Sequence, residues 1–185
     1  MDSRVINEKA NKIFQILQPY CTAIYLGGSM TQSYINNPHD VDFICFADNE
    51  INRMKMVFLL RRYISKHKDE FSNEEDWIQT RHREYEEHAY GSYVHKDMQL
   101  LCGKSVEFKF DILGKDRKEY INILKNAKFK NKKRLYQLYR GYLIVQKNSY
   151  DLTRDEIEKL NLLHDNDADD ILRNEVLSLI NDLEV

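Results

Sequence analysis

Apolar residues Ile6, Ala10, Ile13, Phe14 and Leu17 recur at i, i+4, i+7, i+8 and i+11 after Ser3, a spacing that predicts an amphipathic helix with that serine as its cap. The pattern then changes period. Ala23-Ile24-Tyr25-Leu26 is a short apolar run with a β-branched and an aromatic residue, closed by Gly27-Gly28 and followed by the polar stretch Ser29 to Gln32. It predicts a strand, a tight turn and a helix start. Pro38 stops that helix, and residues 41–47 (VDFICFA) form a near-continuous apolar run of the kind buried on both faces, hence a central strand.

Asp48 and Asn49 offer a cap for a helix running to about residue 66, expected to carry Ile51, Met54, Phe58 and Leu59 inward and Arg53, Lys55, Arg61 and Arg62 outward. Residues 69–90 are charged and weakly periodic, compatible with an exposed helix or with an ordered loop around Trp77. Beyond Gly91, MQLLC and SVEFKFDIL are strand-like runs separated by Gly103-Lys104, a pair suited to a type II′ turn, so a hairpin ending near Asp111 is expected. Three helical patterns follow: one near residues 116–125, one carrying Leu135, Leu138, Tyr139, Tyr142 and Val145, and one opened by Thr153 with Glu156 three residues on, a capping box. Alternating strands and helices with a helical C-terminal third predict an α/β (α+β) fold, a mixed sheet flanked by helices. The expected division is residues 1–128 against a helical region 129–185 packed on them.

A chain of 185 residues can bury most of its apolar surface and fold alone. Its 28 Lys and Arg stand against 30 Asp and Glu, a net charge of -2, so no whole-molecule field attracts polyanions and any nucleic-acid affinity must be local. Cys21, Cys45 and Cys102 lack CxxC spacing and sit in apolar or strand-like contexts, as reduced, buried thiols do. The N-terminal pattern has no apolar signal-peptide core and no run reaches the length of a membrane span, which predicts a cytoplasmic protein without membrane partners.

The chemistry concentrates in residues 26–46, LGGSMTQSYINNPHDVDFICF. Backbone N–H groups at a helix start, together with the Ser29 hydroxyl, make an anion cradle, and Gly28 lets a phosphate approach the chain closely. Asp40 and Asp42 are two apart on a strand, so both carboxylates point to one face with Cα atoms about 6.6 Å apart, near enough to share a metal site. Mg²⁺ favours carboxylates together with substrate phosphate oxygens, and two such ions about 4 Å apart would activate a hydroxyl and stabilise leaving pyrophosphate. A third carboxylate is then expected. Asp111 is the first candidate and Glu107 the second; with Lys109 they share one face of the expected strand, where the lysine would meet phosphate.

At these residues the chain resembles the DNA polymerase beta nucleotidyltransferase superfamily: Gly-Ser, about ten intervening residues, an apolar-flanked D-x-D, and a later acidic residue on a neighbouring strand. Here residues 30–39 separate Ser29 from Asp40. The resemblance covers residues 23–46 and, beyond them, Asp111. It implies a mixed sheet with helices and two Mg²⁺ ions (or Mn²⁺) on Asp40, Asp42 and Asp111. It also implies a nucleoside triphosphate such as ATP held by Gly28 and Ser29, and transfer of a nucleoside monophosphate to an acceptor hydroxyl on a small molecule, RNA or protein. Two departures stand out: Met30-Thr31-Gln32 occupies a turn that commonly holds small residues, and Pro38-His39 replaces the commoner Ser-Asp.

Competing readings attach to other features. A catalytically inactive member of the fold would keep Gly28-Ser29 and act as a binding module. Lys125, Lys128, Lys130, Lys132, Lys133 and Arg134 with Tyr136, Tyr139 and Tyr142 would serve an RNA-binding protein, although tyrosines at that spacing are more often core. His82, His88 and His95 lack a ligand spacing, and Asp165 to Asp170 imitates a calcium loop without its glycine, which fits helix capping better.

Overall fold

A computed structural model of the chain describes residues 11–36, 38, 42–67, 78–82, 95–107, 110–127 and 135–184. They form a mixed α+β protein of two units. The first comprises residues 1–32, 38–85 and 97–107, the second residues 33–37, 86–96 and 108–185.

The first unit is built on the two apolar runs that flank the glycine turn. Strand β1 (Ala23–Gly27) pairs antiparallel with β2 (Asp42–Ala47), from Ala23 opposite Phe46 to Gly27 opposite Asp42. All six residues of β2 are buried, as a strand covered on both faces requires. Strand β3 (Ile78–His82) lies parallel to β2, and β4 (Gln99–Gly103) antiparallel to β1 with an irregularity at Ile24/Tyr25, giving the order β3-β2-β1-β4. The expected central place of residues 42–47 is therefore realised, and a strand occupies part of the stretch read as exposed helix or loop. On the sheet pack helix α1 (residues 11–17), through Ile13 and Leu17, and helix α2 (Glu50–Lys66), through Met56 and Leu60. Cys45 is buried here with its thiol pushed well up by a hydrogen bond with Cys21 and by burial, and the three cysteines are free thiols, as expected.

Two expectations fail in this unit. Asn49 caps α2, accepting from the Asn52 N–H at 2.9 Å, but the helix presents a different face from the one predicted: Ile51, Met54 and Phe58 are 66%, 62% and 63% exposed. The cause is a second apolar stripe, Met56, Leu60, Tyr63 and Ile64, on the opposite arc, which the sheet takes instead. The hairpin after β4 does not form either. Gly103 adopts a left-handed φ of +85° and lies against the Thr22 carbonyl, which also accepts from the Lys104 N–H at 3.0 Å. Residues 104–107 then run irregularly, pinned by the Tyr25 hydroxyl, which accepts from the Val106 N–H at 2.7 Å. β4 finds its partner in β1, whose free edge offers backbone N–H and C=O groups to pair, while β4 itself stays largely exposed.

The second unit is helical. Helix α4 (Leu135–Lys147) is buried along most of its length and packs against α3 (Arg117–Asn126), α5 (Arg154–His164) and α6 (Asp170–Asn181). The Thr153 capping box forms as predicted, and the aspartates near 165–170 do serve as caps: Asp169 accepts from the Leu172 N–H at 2.8 Å. Because α3 packs on α4 and α6, the boundary falls near residue 108, where the sequence reading put it near 128. Ser33–Asn37 also belongs to this unit, with Ile35 in its core and the Asn36 N–H donating to Asn161 Oδ1 at 2.8 Å. Among the described residues no helix is long and apolar enough to cross a membrane.

Candidate active site

The last rung of the β1–β2 ladder sets Gly27 opposite Asp42, and the chain leaves β1 there through a single 3₁₀ turn, Gly28–Thr31, in place of the expected helix running toward Pro38, because Gln32 is already extended. Gly28 has φ +65°, a conformation that side chains disfavour. The turn is tied by the Thr31 hydroxyl donating to the Gly28 carbonyl at 3.0 Å and by the Gln32 N–H donating to the Ser29 carbonyl at 3.3 Å. Gly28 is needed for a second reason. A Cβ there would overlap Asp42 Oδ2 and come within 2.9 Å of the carboxyl carbon, so the Asp42 side chain occupies the space that a larger residue would fill.

The polar groups gathered at this point are unusually deep. Asp42 is 7% exposed and Ser29 2%, and the Ser29 Oγ has no hydrogen-bond partner among the described residues, nor does the Gln32 Oε1. A buried hydroxyl or amide oxygen left without a partner costs free energy, and Ser29 follows directly on the glycine against which the Asp42 carboxylate packs. Of the carboxylates that Mg²⁺ takes as ligands, the described residues place one, Asp42, at this turn.

The structure thus brings Gly28, Ser29 and Asp42 together. Asp40 lies outside the described residues, as does Lys109. Asp111 is not on a strand: it is exposed, in the turn before α3, with its carbonyl accepting from the Gly114 and Asp116 N–H groups at 3.2 and 3.1 Å. Its own N–H donates to Asp116 Oδ2 at 2.7 Å, and its carboxylate lies against Gly114. Asp111 belongs to the helical unit, whereas Glu107, exposed, closes the last segment of the sheet unit. Among the described residues no three His, Cys, Asp or Glu side chains are grouped to hold a metal. Gln32 is the residue that sequence reasoning passed over, since a glutamine after a turn carries no chemical signal until its oxygen is seen to be buried.

The competing features fall elsewhere. Lys125 donates to the Leu183 carbonyl at 2.9 Å, and residues 128–134 lie outside the described residues. Tyr136 and Tyr139 are core, and Tyr142 stacks on Tyr139 with ring centroids 6.0 Å apart, so these rings are spent on packing. His88, and the side chains of His82 and His95, lie outside what is described. No family model, curated protein or solved structure matches the chain.

Proposed function

We propose that the chain is a metal-dependent nucleotidyltransferase, with a sheet of the nucleotidyltransferase type, that moves a nucleoside monophosphate from a nucleoside triphosphate to an acceptor hydroxyl. One observation carries the reading: the buried Asp42 carboxylate is packed against Gly28, beside a Ser29 hydroxyl that is buried without a partner. The resemblance of residues 23–46 supports it independently, because the spacing predicts that meeting of turn and strand.

In this mechanism Gly28, lacking a side chain, leaves the Asp42 carboxylate room to lie against the turn, and the Ser29 Oγ donates to a phosphate oxygen, gaining the partner it lacks. Asp42, with Asp40 as its proposed partner on the strand, would hold Mg²⁺, which would supply charge neutralisation at the phosphates and lower the pKa of the attacking hydroxyl. The buried setting of Asp42 keeps its charge out of water, where it acts most strongly on charge that develops during transfer. The acceptor hydroxyl gives its proton to solvent as its oxygen bonds to the α-phosphorus, the bond from that phosphorus to the α–β bridging oxygen breaks, and pyrophosphate leaves with the bridging oxygen.

The test is transfer of label from each α-³²P nucleoside triphosphate, with Mg²⁺ or Mn²⁺, to RNA, protein or small molecules of a cell extract. Asp42→Asn is expected to lower transfer at least about a hundredfold while the circular dichroism spectrum is kept, because a charge acting in the transition state is lost. Transfer within about threefold of wild type refutes the assignment.

A further inference from the structure

The face of α2 turned away from the sheet carries Ile51, Met54 and Phe58, each more than 60% exposed, at i, i+3 and i+7. Lys55, Arg61 and Arg62 share that arc at 100° per residue, all exposed and without an ion pair among the described residues. No acidic residue interrupts the arc between Ile51 and Arg62, since Glu50 lies at its margin and is bound to Arg53. Phe58 is thus bracketed by Lys55 one turn before it and by Arg61 and Arg62 one turn after.

We propose that this face docks single-stranded nucleic acid, Phe58 stacking on a base and Lys55, Arg61 and Arg62 neutralising phosphates. Two arguments select this occupant. The three apolar side chains expose roughly 400 Å², about half of what each partner buries in a stable protein–protein interface, so apolar contact alone does not hold a second copy or a folded partner. Three cations without a counter-charge on one stripe, interleaved with an aromatic ring, complement a strand that offers phosphates and base faces together. The net charge of -2 does not oppose this, because screening confines the effect to charges within about 10 Å.

Topology places the stripe usefully. β2 and β3 are parallel neighbours, so α2 between them carries the chain back to the end of the sheet where both strands start, with Arg61 and Arg62 in its last turns and Asp42 at that same end. The inference does not rest on nucleotidyl transfer, since binding is measured with neither nucleotide nor metal present.

The experiment is fluorescence anisotropy of labelled 20-mer oligouridylate and oligothymidylate with the full chain. Micromolar binding of one or both is expected, weakening about 20-fold between about 50 and 200 mM salt, as three phosphate contacts on a single strand require. Phe58→Ala should weaken binding about tenfold while Phe58→Trp retains it, and Lys55→Gln/Arg61→Gln/Arg62→Gln should reduce it further and flatten the salt dependence. Exposed positions leave the fold intact, which the melting curve checks. The proposal is overturned if neither oligonucleotide binds at micromolar concentration, or if binding is lost through Lys130, Lys132 and Lys133 but not through α2. It is overturned equally if the α2 variants instead abolish self-association seen by light scattering, or flotation with phosphatidylserine vesicles, while oligonucleotide binding is unchanged.

Discussion

Replacing Gly28 by alanine puts the geometry of the cradle to a quantitative test. The substitution forces an L side chain into φ +65°, which costs about 1–2 kcal/mol. The new Cβ also meets the Asp42 carboxyl group, with the carboxyl carbon 2.9 Å away, so Asp42 must leave its rotamer at a further cost of about 1 kcal/mol. The sum, about 2–3 kcal/mol, corresponds to a fall in melting temperature of roughly 5–10 °C for a chain of 185 residues. Calorimetry and urea titration read it directly. Repeating Gly28→Ala in an Asp42→Ala background removes the encounter and leaves the dihedral cost, so the double-mutant cycle should show about 1 kcal/mol of coupling. The nucleotide adds an independent arm: wild type should gain about 2.7 kcal/mol from Mg-ATP at a hundredfold excess over Kd, and Gly28→Ala should gain almost none. If Gly28→Ala melts within about 1 °C of wild type, or loses as much with Asp42 absent as with it present, the carboxylate does not occupy the turn as described.

Asp111, the third carboxylate that the resemblance implies, is tested by Asp111→Asn, expected to lower transfer at least about tenfold beyond any change in melting temperature, with Glu107→Gln within about threefold. The reverse order would make Glu107 the third ligand, and a loss of stability alone would leave Asp111 as the turn residue its hydrogen bonds describe. Alkaline titration tests the helical unit: burial, with the charges of Glu156 and Glu175, pushes the Tyr139 hydroxyl up to about 12 from 10.0. The folded state therefore holds this proton more tightly than the unfolded one, so the contribution is complete below pH 10.0 and is lost as pH rises to about 12. Tyr139→Phe should remove about 2 kcal/mol of that pH dependence, seen in urea midpoints across the window, and an unchanged slope would refute it.

Local pattern was enough for much of this protein. The apolar runs at 23–26 and 42–47 form strands because their side chains are buried whichever neighbour they find, and Gly28 was marked by a turn that excludes a side chain. The helical periods at 117–126, 135–147 and 154–164 were legible for the same reason, since burial of one stripe per helix leaves a 3.6-residue signature. The meeting of Gly28, Ser29 and Asp42 followed from two elements close in sequence.

What local pattern left open was settled by partners distant along the chain. α2 has apolar residues on two opposite arcs, and its own period is equally satisfied by either; the sheet chose Met56 and Leu60 and left Ile51, Met54 and Phe58 in solvent. β4 and the residues after it have the composition of a hairpin, yet a strand's partner depends on where unpaired backbone is available, and the edge of β1 provided it. For the same reason Ser33–Asn37 and residues 110–127 joined the helical unit, and Asp111 became part of a turn. The sequence alone determined the strands at 23–26 and 42–47, most of the helices and which residue types meet at the glycine turn. Only tertiary structure decided which faces are covered, because the free energy of burial belongs to pairs of surfaces and not to either one.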